Sequence, residues 1–109
     1  MEIKKDVGIL VVKPDSTRID ATFAMQFKNQ LVDTFQAGNT TIILDLSDVD
    51  FIDSSGLGAL VASRKSIGDK GEILLCEVKD RVQSLFTVTR MNKVFKIFPT
   101  KEEALKTVS

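Results

Sequence analysis

One six-residue stretch, Asp53-Ser54-Ser55-Gly56-Leu57-Gly58, combines residue types that packing alone does not call for. Two hydroxyls follow a carboxylate, and glycines stand among the residues after them. Leu57, Leu60 and Val61 come at helical spacing, with Ile67 on roughly the same side, so the stretch opens a helix. A glycine inside a helix costs up to about 1 kcal/mol relative to alanine. It also lets another molecule approach the backbone closely. Unpaired N–H groups and the helix dipole favour an anion at a helix start, so a phosphate on Ser54 or Ser55 is tolerated there. A plainer account is also available, with Asp53 or Ser54 as an N-cap and the glycines as a tight turn.

Composition removes most competing chemistry. The chain has 109 residues, 15 basic and 15 acidic, with no His and one Cys. Without His there is no Ser-His-Asp or Cys-His pair and no zinc site of the usual His types. A lone Cys76 excludes an internal disulfide and a CxxC motif, and its apolar neighbours Ile73-Leu74-Leu75 suit a buried strand in a reducing compartment. A net charge of zero argues against nucleic-acid binding, which needs a basic excess. The apolar run Ile9 to Val12 is too short for a signal or spanning segment. The expectation is a cytoplasmic protein, monomeric when free, with no cofactor, metal or catalytic residue.

The elements that must position the stretch alternate in period. Val7 to Lys13 reads as a strand, closed by Pro14-Asp15-Ser16, and Glu2 to Lys5 could add another. Ala24, Phe27, Leu31 and Phe35, with Phe23 and Val32 beside them, form a helical stripe, with Asp20 placed to cap it and Gly38 to stop it. Thr41 to Leu46 reads as a strand covered on both faces, and Ile73 to Val78 as another. Asp80 with Gln83, and Thr100 with Glu103, mark two further helix starts around a short strand, Val94 to Phe98. The order implies an α/β fold: one domain over residues 1–109, a mixed but mostly parallel sheet of four to five strands, and about four helices. In such sheets function sits where strands turn into helices, and the stretch after Leu46 leads to such a place.

Phe51-Ile52-Asp53-Ser54-Ser55-Gly56-Leu57-Gly58 closely resembles the signature of the STAS family (sulfate transporter and anti-sigma factor antagonist domains). The similarity extends to Ile42–Leu46, to Ser47-Asp48-Val49 and to the later elements, which is nearly the whole chain. It is greatest with the free-standing bacterial anti-sigma factor antagonists. That resemblance implies a phosphoprotein of transcription regulation that works by partner switching and is not an enzyme. Unphosphorylated, it would bind an anti-sigma factor, itself a serine kinase, and release a sigma factor. A serine phosphatase would reset it. Ser55 would be the phosphoacceptor, and Asp20, Asp53, Ser54, Gly56, Leu57 and Gly58 the partner-binding residues, with Gly56 giving the kinase backbone access. The family often carries Gly-x-Leu-Asp before the first helix, whereas this chain has Thr17-Arg18-Ile19-Asp20.

Two alternatives stand beside this reading. One is a STAS domain that serves as a scaffold or ligand sensor and never switches. The other is a response-regulator receiver with Asp45 as its acceptor, although Lys13-Pro14-Asp15 lacks the acidic pair that would hold magnesium.

Overall fold

The structure is a computed structural model, and it describes residues 2–6, 8–35 and 41–108. Its main sheet has five strands in the order β1(Glu2–Asp6), β2(Ile9–Lys13), β4(Thr41–Asp45), β6(Glu72–Cys76), β7(Lys96–Phe98). Only β1 runs antiparallel; β2, β4, β6 and β7 are parallel. Period-two alternation sorts the side chains of the sheet. Leu10, Val12, Ile42, Leu44, Ile73 and Leu75 join one core, with α1(Ala24–Phe35), α2(Ser54–Ile67) and α3(Asp80–Val88) packed on it. Ile43, Leu74 and Cys76 face the other way, under Ala104 of α4(Lys101–Val108). The central strand β4 is buried at every residue, Thr41 and Asp45 included, as expected of a strand covered on both faces.

The helix stripe of α1 lies where the spacing puts it, with Ala24, Phe27, Leu31 and Phe35 all buried. Val7 and the expected stop at Gly38 lie outside the described residues. Helix α2 ends at Gly68, whose N–H still bonds the Arg64 carbonyl and whose φ of 59° turns the chain out of the helix. The strand predicted over Val94 to Phe98 shortens to Lys96–Phe98, because a 3-10 turn over Met91–Lys93 occupies the approach. At α4 the Thr100 hydroxyl accepts the Glu103 N–H, as the spacing predicts. The Glu77 carboxylate accepts the Lys101 N–H at 2.8 Å and ties β6 to the same helix start. The α3 start departs from expectation: Lys79 is its N-cap and Asp80 lies inside the first turn. The Lys79 carbonyl takes the Gln83 N–H while its ammonium pairs with Asp50.

A second sheet has no counterpart in the sequence reading. β3(Arg18–Ile19) and β5(Phe51–Ile52) pair in parallel, Arg18 beside Phe51 and Ile19 beside Ile52. β3 leads into α1 through a turn over residues 20–23, and β5 into α2 through Asp53. The ribbon therefore sets where those two helices begin.

Candidate functional site

Asp53 holds the start of α2. Its backbone is extended, and its carboxylate accepts the Gly56 N–H at 2.9 Å while its carbonyl takes the Leu57 N–H. This is a side-chain N-cap, satisfying one of the donors a helix start leaves open. The Asp53 N–H donates to the Ile19 carbonyl at 3.3 Å, so the cap is itself fastened to β3. The Asp50 N–H donates to the Thr17 carbonyl at 2.7 Å and extends the same fastening. Thr17 is not among the non-glycine residues with positive φ, so threonine fits the turn where the family often has glycine.

The two glycines face opposite ways. Gly56 is buried, and a Cβ there would stand 2.0 Å from the Ile19 carbonyl oxygen. Its missing side chain is thus required by the contact with β3, and the access expected at Gly56 is closed. Gly58 is exposed, and a Cβ there would meet nothing within 4 Å.

Ser54 and Ser55 are both exposed, and neither hydroxyl bonds to another described residue. They border different grooves. Ser55 lies on a concavity of about 330 Å³ between α1 and α2, with Met25 and Lys28 on its far wall. Ser54 lies on one of about 420 Å³ that includes Leu57, Val61, Lys65 and Met91. Gly58 and Ala62 form the low ridge between them. A concavity of about 550 Å³ between α3 and β7 shares no residue with either and presents no carboxylate, hydroxyl or thiol.

Asp20 reaches this region through the ribbon, one residue beyond Ile19. Its carboxylate accepts the Thr22 N–H at 3.2 Å and the Thr22 hydroxyl at 2.7 Å, and it pairs with Arg18 at 3.4 Å. The Thr22 hydroxyl, followed by Arg18 and the Thr22 amide, holds Asp20 below its ordinary value against a smaller opposing desolvation. Asp20 caps the turn over residues 21–23 that leads into α1, since its carbonyl also accepts the Phe23 and Ala24 N–H groups. The Arg18 guanidinium lies 4.2 Å from the Phe51 ring centroid, a cation–π contact that ties the two short strands side by side.

The sequence motif thus brings Asp53, Ser54, Ser55, Leu57 and Gly58 to one surface, with Asp20 delivered beside it. Sequence reasoning missed Arg18, Met25, Lys28, Phe51 and Met91. Met25 and Lys28 carried a signal, since both fall off the buried stripe of α1 on one flank. Arg18, Phe51 and Met91 carried none, because only tertiary pairing puts them here.

The other candidates have local roles. Asp45 is buried, and its carboxylate accepts the Ser47 N–H at 2.9 Å within the turn after β4. Cys76 is fully buried, and its thiol donates to the Leu44 carbonyl. Burial pushes its pKa up to about 12, with Asp45 and Glu77 adding to the shift, so it is held as the unreactive thiol. Among the described residues no group of acidic, His or Cys side chains could hold a metal, and no helix is long and apolar enough to cross a membrane.

This arrangement, a mixed sheet with a hydroxyl-bearing helix start fastened by a short parallel ribbon, belongs to a known class. The chain is a member of the STAS domain family, whose model matches residues 1–104. A Thermotoga neapolitana protein provisionally named an anti-sigma factor antagonist is 34% identical over 109 residues, covering 98% of this chain and 94% of its own. The anti-sigma F factor antagonist of Paenibacillus polymyxa is 29% identical over 107 residues, covering 96% and 91%. The crystal structure of a Thermotoga maritima protein with the same provisional name superposes with a TM-score of 0.89 at 30% identity, covering 98% of this chain and 92% of that one.

Proposed function

We propose that this protein is an anti-sigma factor antagonist whose binding is switched off by phosphorylation of Ser55. The role is regulatory and not enzymatic, exercised in the cytoplasm by one STAS domain spanning residues 1–109, monomeric when free. Unphosphorylated, the protein binds an anti-sigma factor and so releases a sigma factor. That partner is a serine kinase: it moves the terminal phosphoryl group of ATP to the Ser55 oxygen, with ADP and a proton as the other products. A separate serine phosphatase hydrolyses the ester.

One observation carries the reading. The Ser55 hydroxyl is exposed and has no bonding partner among the described residues, on a helix start that Asp53 and Ile19 hold in place. Asp20, Asp53, Ser54, Leu57 and Gly58 make up the docking surface around it, with Gly56 shaping that surface from beneath. Phosphorylation adds about −1.5 to −2 charges there. One acidic partner group about 5 Å away, at an effective dielectric of 20, would repel each added charge by about 3 kcal/mol. About 2.7 kcal/mol is already a hundredfold loss of affinity. No change of fold is required.

The test is an in vitro kinase assay with the cognate anti-sigma factor, followed by a pull-down. Ser55→Ala should accept no phosphate, keep its fold and bind constitutively, whereas Ser55→Asp should bind more weakly than the parent. Ser54→Ala should still be phosphorylated at Ser55. Full phosphorylation of Ser55→Ala would show the site to be wrong. A parent protein that no kinase partner phosphorylates would leave a STAS module that binds without switching.

A further inference from the structure

The two hydroxyls at the start of α2 border different grooves, and those grooves differ in charge. Ser55 shares its groove with Lys28, the one charged side chain among the described residues lining it; the remaining walls are alanines, Gly58 and Met25. Lys28 is half-buried, and its ammonium makes no ion pair or hydrogen bond with any described residue. Resting on Ser55 as the phosphoacceptor, we propose that Lys28 is the internal counter-ion of the Ser55 phosphate, closing over the α1–α2 groove when the protein is phosphorylated.

The geometry supports this reach. β3 and β5 are parallel and each is followed by its helix, so both helix segments start from the same end of the ribbon. Positions 21, 24, 25 and 28 of the first segment and 55, 58, 59 and 62 of the second line one groove, both at helical spacing. Lys28 stands seven residues beyond Ala21, or about 10 Å along the axis. Helical side chains lean toward the N-terminus, so the lysine stem is directed back along the groove that Ser55 also lines. The phosphate extends from the other wall into the same space.

The charged groups on the elements around the phosphate oppose one another. Asp20 at the start of the first segment and Asp53 at the cap of α2 disfavour the dianion. Arg18 is engaged by Asp20 and Phe51, and Lys65 lies on the Ser54 groove. Lys28 is therefore the cation whose removal should register in the ionisation of the phosphate.

The experiment uses the full chain with phosphoserine installed at position 55 during translation, so it requires no kinase and is independent of the assay that tests Ser55 as the acceptor. Phosphorus NMR follows the second ionisation, near pH 6 for an exposed phosphoserine, in the parent, Lys28→Met, Lys28→Arg and Lys65→Met. An exposed ion pair of ordinary strength corresponds to a shift of about 0.5 pH unit. Lys28→Met should titrate higher than the parent by about that amount, Lys28→Arg should match the parent, and the difference should shrink in 1 M salt. Lys65→Met should titrate like the parent. Amide spectra check that each variant is folded. Coincident curves for the parent and Lys28→Met would overturn the proposal. So would a shift in Lys65→Met as large as that in Lys28→Met, since the phosphate would then lie over the other groove.

Discussion

The inner and outer sides of the first turns of α2 are built from the same residue types and use them differently. Inside, Gly56 is buried with the Ile19 carbonyl where its side chain would be, and the buried Ser63 hydroxyl donates to the Ala59 carbonyl at 2.8 Å. Outside, Gly58 has open space above it, and the Ser54 and Ser55 hydroxyls bond to no described residue. The inner glycine and serine are accounted for within the protein. The outer ones are not. A glycine inside an exposed helix costs up to about 1 kcal/mol against alanine, and nothing in this fold requires that at position 58. Its reason is sought outside the molecule, where a partner's atoms would pass close to the backbone of α2. The contrast separates residues that make the platform from residues that use it.

The strongest way to break this contrast is Gly56→Ala. The obstacle at 2.0 Å is backbone oxygen, so either β3 or α2 has to move. Overpacking of this kind costs about 1–3 kcal/mol, and the upper part of that range is expected here because no flexible side chain can yield. Urea unfolding should show a lower midpoint with an unchanged slope. Cys76, buried and with its pKa raised to about 12 in the folded state, should then react with a thiol reagent faster in proportion to the extra opening. An unchanged midpoint would mean that the Gly56–Ile19 approach does not constrain the fold.

These two sides also mark how far the sequence could be read. The composition of Asp53 to Gly58 singled out the segment, and its helical continuation through Leu60 and Ile67 followed from spacing. Residue types could not say that Gly56 faces in and Gly58 out, because the deciding atom belongs to Ile19, far away in the chain. The β3–β5 ribbon was illegible for the same reason: two-residue strands have no period, and only their pairing makes them strands. The α1 stripe and the core strands β4 and β6 were legible because burial writes its own periodicity. Asp80 with Gln83 marks the α3 start but not its cap, because Asp at a helix start has two favourable places, at the cap and in the first turn. Here the chain uses the second, where the carboxylate faces the helix dipole.

Gly58→Ala sharpens the contrast from the other direction. With no atom within 4 Å of the added methyl group, the substitution should stabilise the protein, by about 0.5–1 kcal/mol from helix propensity and the smaller entropy of the unfolded chain. The same methyl group should weaken capture by the anti-sigma factor while leaving phosphorylation of free protein at Ser55 to be measured separately. Unfolding midpoints and a binding titration on the same preparations give both numbers. A protein that is stabilised and binds as well as the parent would remove the argument that Gly58 serves a partner. One that is destabilised would show that position 58 has a structural role after all.

The smallest expected effect concerns Asp20, whose backbone carries β3 into α1 and whose carboxylate is held by Thr22 and Arg18. Its pKa is held below the ordinary carboxylate value of 3.8, first by the Thr22 hydroxyl and then by Arg18. A carboxylate whose folded pKa is depressed contributes stability that is present above its unfolded value. That contribution is lost as pH falls through the lower, folded value. The window therefore lies below about pH 4, where other acidic groups titrate as well, so the variant has to isolate the term. Asp20→Asn keeps an oxygen that can accept from Thr22 but loses the charge that Arg18 meets. Urea midpoints measured from pH 6 down to pH 2.5 should fall more steeply for the parent than for Asp20→Asn, with the two curves converging at the acid end. The difference should be small, since the carboxylate is within reach of solvent and the Arg18 contact is screened by salt. Parallel curves across the whole range would mean that the Thr22 and Arg18 contacts do not distinguish folded from unfolded Asp20, and that this residue stands with the outer side, held ready for a partner and contributing nothing to the platform.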